Sequence, residues 1–397
     1  MATNKRPIWS KSFINIFVSN LFIFVVFYAL LTLLPIYVTD AMGGTESQAG
    51  LILTIFLLSA IFVRPFSGRL IDRFGKKKML VISAAMFGVA TFLYPITDHY
   101  IPLLLLRFFH GMWFSIVTTA AGAIAADSIP RERRGEGLGY FAMSMNVAVV
   151  AGPFLALTLL QYVSYLSIFI VLSAIMVIGM LCTVWVKTIE PQEPIKKKSI
   201  TLDDLFERRA FPIALVGLFL AFSYASVISY ISLYAKSIGL LDAAGFFFAV
   251  FAVAMLVSRP FTGRMFDTLG PNTVIKPAFM FYALGLLTLS FTGSSWMLLV
   301  AGALIGLGYG SIVPSFQTLA IQAAPESRSA HATATFFTLF DIGIATGSYV
   351  LGLIVTSLGY SNLYLALAIF VAGILFFYQW MMNRQPKAKQ LQSQPDY

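Results

Sequence analysis

A chain of 397 residues that is 58% hydrophobic and only 11% charged carries about half the charge of a soluble domain, where ~25% is usual. So much apolar surface cannot be hidden in one water-surrounded core, which excludes an ordinary soluble enzyme or binding module and points to an integral membrane protein. The net charge of +10 is therefore weighed first as membrane topology, and only then as a surface for nucleic acid.

The first apolar stretch, about 13–38, follows Lys5, Arg6 and Lys11. It is too long for the apolar region of a signal peptide and lacks a small-residue cleavage site, so it reads as a span. Runs near or above ~20 residues cross ~30 Å of hydrocarbon as helix. They place spans near 13–39, 47–68, 79–97, 101–126, 138–160 and 164–186, then 212–235, 243–264, 274–292, 296–323, 331–357 and 361–382. Between the two sets, Pro191, Pro194, Lys196–Lys198 and the acids Asp203, Asp204 and Glu207 mark a linker. The expected organisation is a six-helix bundle at 1–188, a cytoplasmic linker at 189–210, a second bundle at 211–383 and a polar cytoplasmic tail at 384–397. Cys182, alone in an apolar run, is a small hydrophobe with no disulfide or redox role.

Apart from Arg107 and Lys236, every Lys and Arg falls on one side of the membrane if the N-terminus is cytoplasmic. Both termini are expected there, and the positive charge reads as topology rather than nucleic-acid binding.

Arg64–Leu80, RPFSGRLIDRFGKKKML, returns 195 residues later at Arg259–Ile275 as RPFTGRMFDTLGPNTVI, with seven of seventeen positions identical. The same offset aligns Pro130 with Pro325, Arg133 with Arg328, Phe141 with Phe336 and Gly152 with Gly347. Two equivalent six-span halves of one orientation are implied, an arrangement that suits alternating access between bundles.

Three motifs within the first half carry a family resemblance that extends over essentially the whole chain. GRLIDRFGKKK at Gly68–Lys78 resembles the loop motif between spans two and three of the major facilitator superfamily. LLRFFHG at Leu105–Gly111 is similar to the fourth-span motif of its drug:proton antiporters, and AVVAGPFLA at Ala148–Ala156 to their fifth-span motif. The last keeps Gly152-Pro153, but Ala148, Ala156 and Leu157 stand where glycines are expected. The resemblance implies an all-α membrane protein with 12 transmembrane helices in two six-helix bundles. It also implies a loop network that latches the outward-facing state, and a substrate path between the halves lined mainly by spans one, four, seven and ten.

Physically, Gly68 lets a neighbouring helix come close, Gly75 precedes the lysine run of the loop motif, and Asp72 can meet the positive N-terminal end of an adjacent helix. Asp127 supplies a second acid for Arg69, Arg73 or Arg134, while Lys76–Lys78 read as topology alone. The second copy keeps Gly263, Arg264, Asp267 and Gly270 but replaces the lysine run by Pro271-Asn272-Thr273. The halves are thus expected to latch unequally, with Asp72 the stronger contact.

Ionisable groups inside a membrane are costly and mark functional candidates. Asp341, the only acid near the middle of a span, lies opposite Asn146 by the 195 offset and is the expected proton carrier. Arg107 matches the antiporter arginine that the resemblance associates with proton movement. His110 lies one turn deeper, and Asp40 ends span one. Candidates for the substrate path are Asn20, Phe24, Tyr28, Trp113, Tyr224, Tyr230, Tyr309, Ser315 and Gln317, whose aromatic walls suit amphiphilic or cationic molecules. Gly152, Pro153 and the GxxxG-spaced Gly302, Gly306 and Gly310 are read as helix-packing positions.

No P-loop, HExxH or GxSxG pattern is present, and three scattered histidines with one cysteine make no metal site. No cofactor and no enzymatic activity are expected. The sequence therefore reads as a monomeric, multi-pass transporter of a bacterial inner or plasma membrane. Its expected work is proton-coupled efflux of small hydrophobic or amphiphilic molecules. A substrate-specific exporter of a sugar, siderophore-like chelator or amino-acid derivative is the first alternative; a non-transporting membrane sensor is the second.

Overall fold

Hydrocarbon offers no partner for a free peptide group, so a chain this apolar must satisfy its backbone within helices. The computed structural model describes residues 7–44, 46–188 and 205–384, and no β-strand occurs among the described residues. The linker from 189 to 204, with Lys196–Lys198, and the tail from 385 lie outside them, as do Lys5 and Arg6.

The helices in chain order are α1 (Lys11–Ile36), α2 (Glu46–Phe74), α3 (Lys76–Leu93), α4 (Tyr100–Ser128), α5 (Arg134–Leu160) and α6 (Tyr165–Val184). After the linker come α7 (Phe211–Ser237), α8 (Leu241–Leu269), α9 (Pro271–Ser290), α10 (Ser295–Ala323) and a final run, Ser329–Arg384. Three starts are capped by serines: Ser10, Ser164 and Ser294 accept from the amides of Phe13, Ser167 and Met297.

Eleven helices among the described residues are long and apolar enough to cross a membrane. The final run has 56 residues, about 84 Å of helix, far more than one crossing needs. It breaks at Gly359, whose φ of 73° and ψ of 165° are not helical. Its arms, 329–358 and 360–384, are called α11 and α12, which accounts for the twelve expected crossings.

Packing follows the internal repeat. α1 packs on α5 and α6, and α4 on α2 and α3; in the second half α7 and α9 pack on the final run, and α10 on α8 and α9. The two halves meet chiefly where α5 touches α8 and where the final run touches α2 and α4. Because α2 and α8 are repeat mates, as are α5 and α11, the two main seams are one contact used twice. Side chains such as Phe62, Leu105, Phe154, Ile369 and Phe376 stay exposed on the outer faces, as lipid-facing positions must.

Candidate functional site

The seams close tightly at the end that holds Ser12 and Lys187, which are hydrogen-bonded to each other. A Cβ on Gly68 would lie 3.0 Å from the Cα of His331, and one on Gly263 2.7 Å from the Cα of Glu136. His331 and Glu136 are 195 residues apart, as are Gly68 and Gly263, so the two close approaches are related by the repeat. Gly75 and Gly270 turn the chain after them with φ of 90° and 89°, a backbone region that only glycine adopts without strain.

Each Asp of the repeated motif reaches the opposite half. Asp72 Oδ2 lies 3.2 Å from His331 Nδ1. The carboxylate of Asp267 accepts from the amides of Gly135 at 2.8 Å and Glu136 at 2.7 Å, in the first turn of α5. The contact with a helix N-terminus expected of Asp72 is therefore made in full by Asp267, the copy expected to be weaker. Around them, Lys76 pairs with Asp127 and donates to Ser329 Oγ across the seam at 3.1 Å. Lys76 is buried, which corrects its reading as a topology charge. It is also Lys76, rather than Arg69, Arg73 or Arg134, whose nitrogen holds the Asp127 carboxylate. Arg134 is buried within electrostatic reach of Asp127 and Glu326, and Arg73 lies over the ring of Phe74. Arg69 has one guanidinium nitrogen, Nη1, buried without a hydrogen bond. Arg131 and Glu326, themselves repeat mates, pair with each other on the pseudo-twofold axis. Both are well exposed, so that contact is weak.

Deeper in the membrane, a second charged layer crosses the seams. Arg64 Nε lies 2.8 Å from Asp341 Oδ2, and Arg64 Nη1 donates to Thr118 Oγ1 at 3.2 Å. Arg64 also lies 5.6 Å from the ring centroid of Phe337. It is 3% exposed and its repeat mate Arg259 1%. Near the basic ends of the expected spans 47–68 and 243–264, both are buried between helices. Tyr28 is within electrostatic reach of Asp341 and of Tyr224. Tyr224 stacks on Tyr309 with ring centroids 3.7 Å apart, and Tyr309 in turn neighbours Arg259.

The other expected path residues divide. Phe24 packs edge-on against Phe114. Asn20 donates to Ser144 Oγ at 2.8 Å, holding α1 to α5. Ser315 donates to Ser311 O at 2.8 Å within α10, and Tyr230 to Ser348 O, so both are engaged within the second half. The Nε2 of Gln317, beside Gly122 of α4, is buried without a hydrogen-bond partner, and so, elsewhere on α4, is the Nε1 of Trp113. Gly302, Gly306 and Gly310 face Phe247, Phe251 and Met255 of α8, and Gly152, beside Pro153, abuts Tyr28 and Ala29 of α1.

Arg107 and His110 lie in a different place. Arg107 donates to Ile52 O at 3.5 Å and to the Tyr94 hydroxyl at 3.4 Å, with Phe56 beneath it at 4.1 Å. Tyr94 shares a hydrogen bond of 2.9 Å with His110 Nδ1. This chain sits wholly inside the first half. Ile52 and Arg64 are twelve residues apart on α2, about 18 Å along the axis, so the structure does not bring Arg107 to Asp341. Asp40 is exposed at the far end of α1 and accepts from Thr39 at 3.0 Å; it joins neither cluster. A groove of about 550 Å³ between α3 and α4, around Ile96, Pro102 and Leu105, opens at the same far end, away from the seams.

Of the residues that sequence reasoning passed over, Arg64, Arg259, His331 and Glu136 had a signal available. The offset that pairs Asp341 with Asn146 pairs Arg64 with Arg259, and each arginine heads a motif copy. Tyr94, at a span end, carried none.

The sequence matches the profile of the Major Facilitator Superfamily over residues 16–340 and 241–396. It is 26% identical over 389 residues to the multidrug resistance protein MdtG of Klebsiella pneumoniae (strain 342), covering 93% of this chain and 92% of that one. It is also 26% identical over 349 residues to an uncharacterized MFS-type transporter of Methanocaldococcus jannaschii, covering 85% and 90%. Among solved structures, the human organic anion transporter MFSD10 superposes with a TM-score of 0.80 at 14% identity, covering 92% and 98%. FucP in its outward conformation superposes with a TM-score of 0.74 at 16% identity, covering 93% and 98%.

Proposed function

Because the chain belongs to the Major Facilitator Superfamily, we propose that it exports small hydrophobic or amphiphilic molecules in exchange for protons, by alternating access between its halves. The observation that carries this reading is the Arg64–Asp341 ion pair, which joins α2 of one half to α11 of the other inside the membrane. The name of its MdtG relative supports efflux of drug-like compounds. The stacked Tyr224 and Tyr309, with Tyr28 beside them, give such molecules an aromatic wall. The setting is a bacterial inner or plasma membrane, with the protein acting as a monomer and both termini in the cytoplasm. The structure is then the state closed to the cytoplasm.

In that state the Asp341 carboxylate holds Arg64 across the seam. A proton arriving from outside neutralises the acid and removes the attraction between the halves at this point. A buried acid without its cation is more stable neutral, so the proton rides with it as the halves rock. Release inside restores the charge, and the pair re-forms as the substrate-loaded carrier returns. The latch at the linker end sets how readily the cytoplasmic side opens.

Proteoliposomes with an imposed pH gradient test this. Asp341→Asn should lose uphill export while keeping substrate binding and downhill exchange. Normal uphill transport by that variant would remove Asp341 from the coupling.

A further inference from the structure

The internal repeat places four residues in two equivalent pairs. Arg64 of α2 faces Asp341 of α11, and the mates of these residues are Arg259 of α8 and Asn146 of α5. The seam between α5 and α8 follows the same operation as the seam between α2 and α11, since Gly263 abuts Glu136 as Gly68 abuts His331. Arg259 lies on the face of α8 that meets α5, its carbonyl 3.8 Å from where a Cβ on Gly139 would stand. Where the first seam has a carboxylate, the second has an amide.

The consequence is visible in the bonding. Arg259 is 1% exposed, and its Nε and Nη1 have no hydrogen-bond partner; the Nδ2 of Asn146, 2% exposed, has none either. Among the described residues no carboxylate forms an ion pair with Arg259, and its ionisable neighbour is the neutral hydroxyl of Tyr309. Arg107, by contrast, has Tyr94, a backbone carbonyl and the face of Phe56. A buried cation without a counter-charge is strongly disfavoured, and this one sits beside the Tyr309–Tyr224 stack with its donors unused.

We infer that Arg259, with Asn146 and Tyr309, receives a carboxylate carried by the transported amphiphile, which supplies the acid that the second seam lacks. The inference rests on the efflux reading above and narrows its substrate class. Aromatic walls alone suit cations as well as anions, but an uncompensated arginine repels a cation and pairs with a planar carboxylate through two parallel N–H donors. The apolar body of the molecule would lie on Tyr224 and Tyr309.

The test compares two probes of equal shape, naphthylacetate and its neutral amide naphthylacetamide, on the full chain in lipid nanodiscs. The wild type should bind the carboxylate at least about tenfold more tightly than the amide. Asn146→Asp puts back the missing acid, and should erase that preference without lowering the melting temperature. Arg259→Lys should keep part of it. Equal affinities in the wild type, or a preference that survives Asn146→Asp, would overturn the site. So would inorganic phosphate binding as tightly as naphthylacetate, because the site would then hold a free ion rather than a substrate group. In proteoliposomes, uphill export of the amide with no preference for the acid sinks the anion site and leaves the efflux reading standing. If neither probe is exported, the efflux reading fails, and the affinities still decide the anion site.

Discussion

Replacing Asp267 by Asn should open the linker end of the transporter more than the same change at Asp72. The Asp267 carboxylate accepts two amide donors from the first turn of α5, at 2.8 and 2.7 Å. A hydrogen bond to a charged group contributes ~1.5–3 kcal/mol, and a charge at a partly buried helix N-terminus up to ~2 kcal/mol. Asn keeps one acceptor but sets an NH2 against the second amide, so roughly 1.5–2 kcal/mol of the closed state is lost. At ~1.36 kcal/mol per tenfold, that is a shift of about ten- to thirtyfold toward opening. Asp72 faces His331 and feels Lys76 and Arg328, but Lys76 keeps Asp127 and Arg328 keeps Glu207 when Asp72 loses its charge. Its loss should cost about 1 kcal/mol or less. Spin labels at the exposed Glu132 and Ser327, on equivalent turns of the two halves in a Cys182→Ser background, report the separation directly. If Asp72→Asn broadens the distances more than Asp267→Asn, the helix-terminus argument is wrong and the charge cluster governs closure.

Two further changes probe the same end. Lys76→Met leaves Asp127 without its cation and Ser329 without its donor. It should lower the melting temperature by several degrees, and Lys76→Met with Asp127→Leu should recover part of the loss; an unchanged midpoint in the single variant would show the pair to be idle. Gly263→Ala puts a methyl 2.7 Å from the Cα of Glu136 and should shift the same spin-label distances outward. Gly373→Ala meets nothing within 4 Å and should leave them unchanged, gaining ~0.5–1 kcal/mol of helix stability instead. Equal distance distributions in the two glycine variants would refute the close-approach argument.

The helical crossings and the internal repeat were legible because each rests on local composition or on a constant offset, and the same offset drew notice to Asp341, which the structure sets against Arg64. What escaped depends on which helices meet. α2 has 29 residues, about 44 Å of helix, and so overshoots the hydrocarbon by several turns. Hydropathy reads Arg64, near the end of the expected span 47–68, as a charge at the basic edge of the membrane, although the seam with α11 buries it. Lys76 was lost to the same rule, since a lysine run beside a span is usually solvated. The partner of Asp267 could not be found locally: Gly135 and Glu136 are more than 130 residues away in sequence. Arg107 and His110 drew notice as ionisable groups inside a span, but their environment is set by Tyr94, which places them inside one half rather than between the two.

The repeat also separates packing from chemistry. Where mates are identical, as with Gly68 and Gly263 or Gly75 and Gly270, both copies do the same structural work at both seams. Where mates differ, the seams acquire different tasks: Asp341 against Asn146, Phe114 against Tyr309, and Lys76 against Pro271. A carrier with two matched arginine–acid pairs would hold its halves together twice over and would have to neutralise two acids to reorient. On the proposed coupling, with one acid replaced by an amide, a single proton would suffice to release the mid-membrane contact, and the other arginine would be left for a ligand. On this view proton and substrate act on equivalent places in the two halves. Each changes one charge at a seam, the proton by neutralising Asp341 beside Arg64 and the ligand by bringing a carboxylate to Arg259.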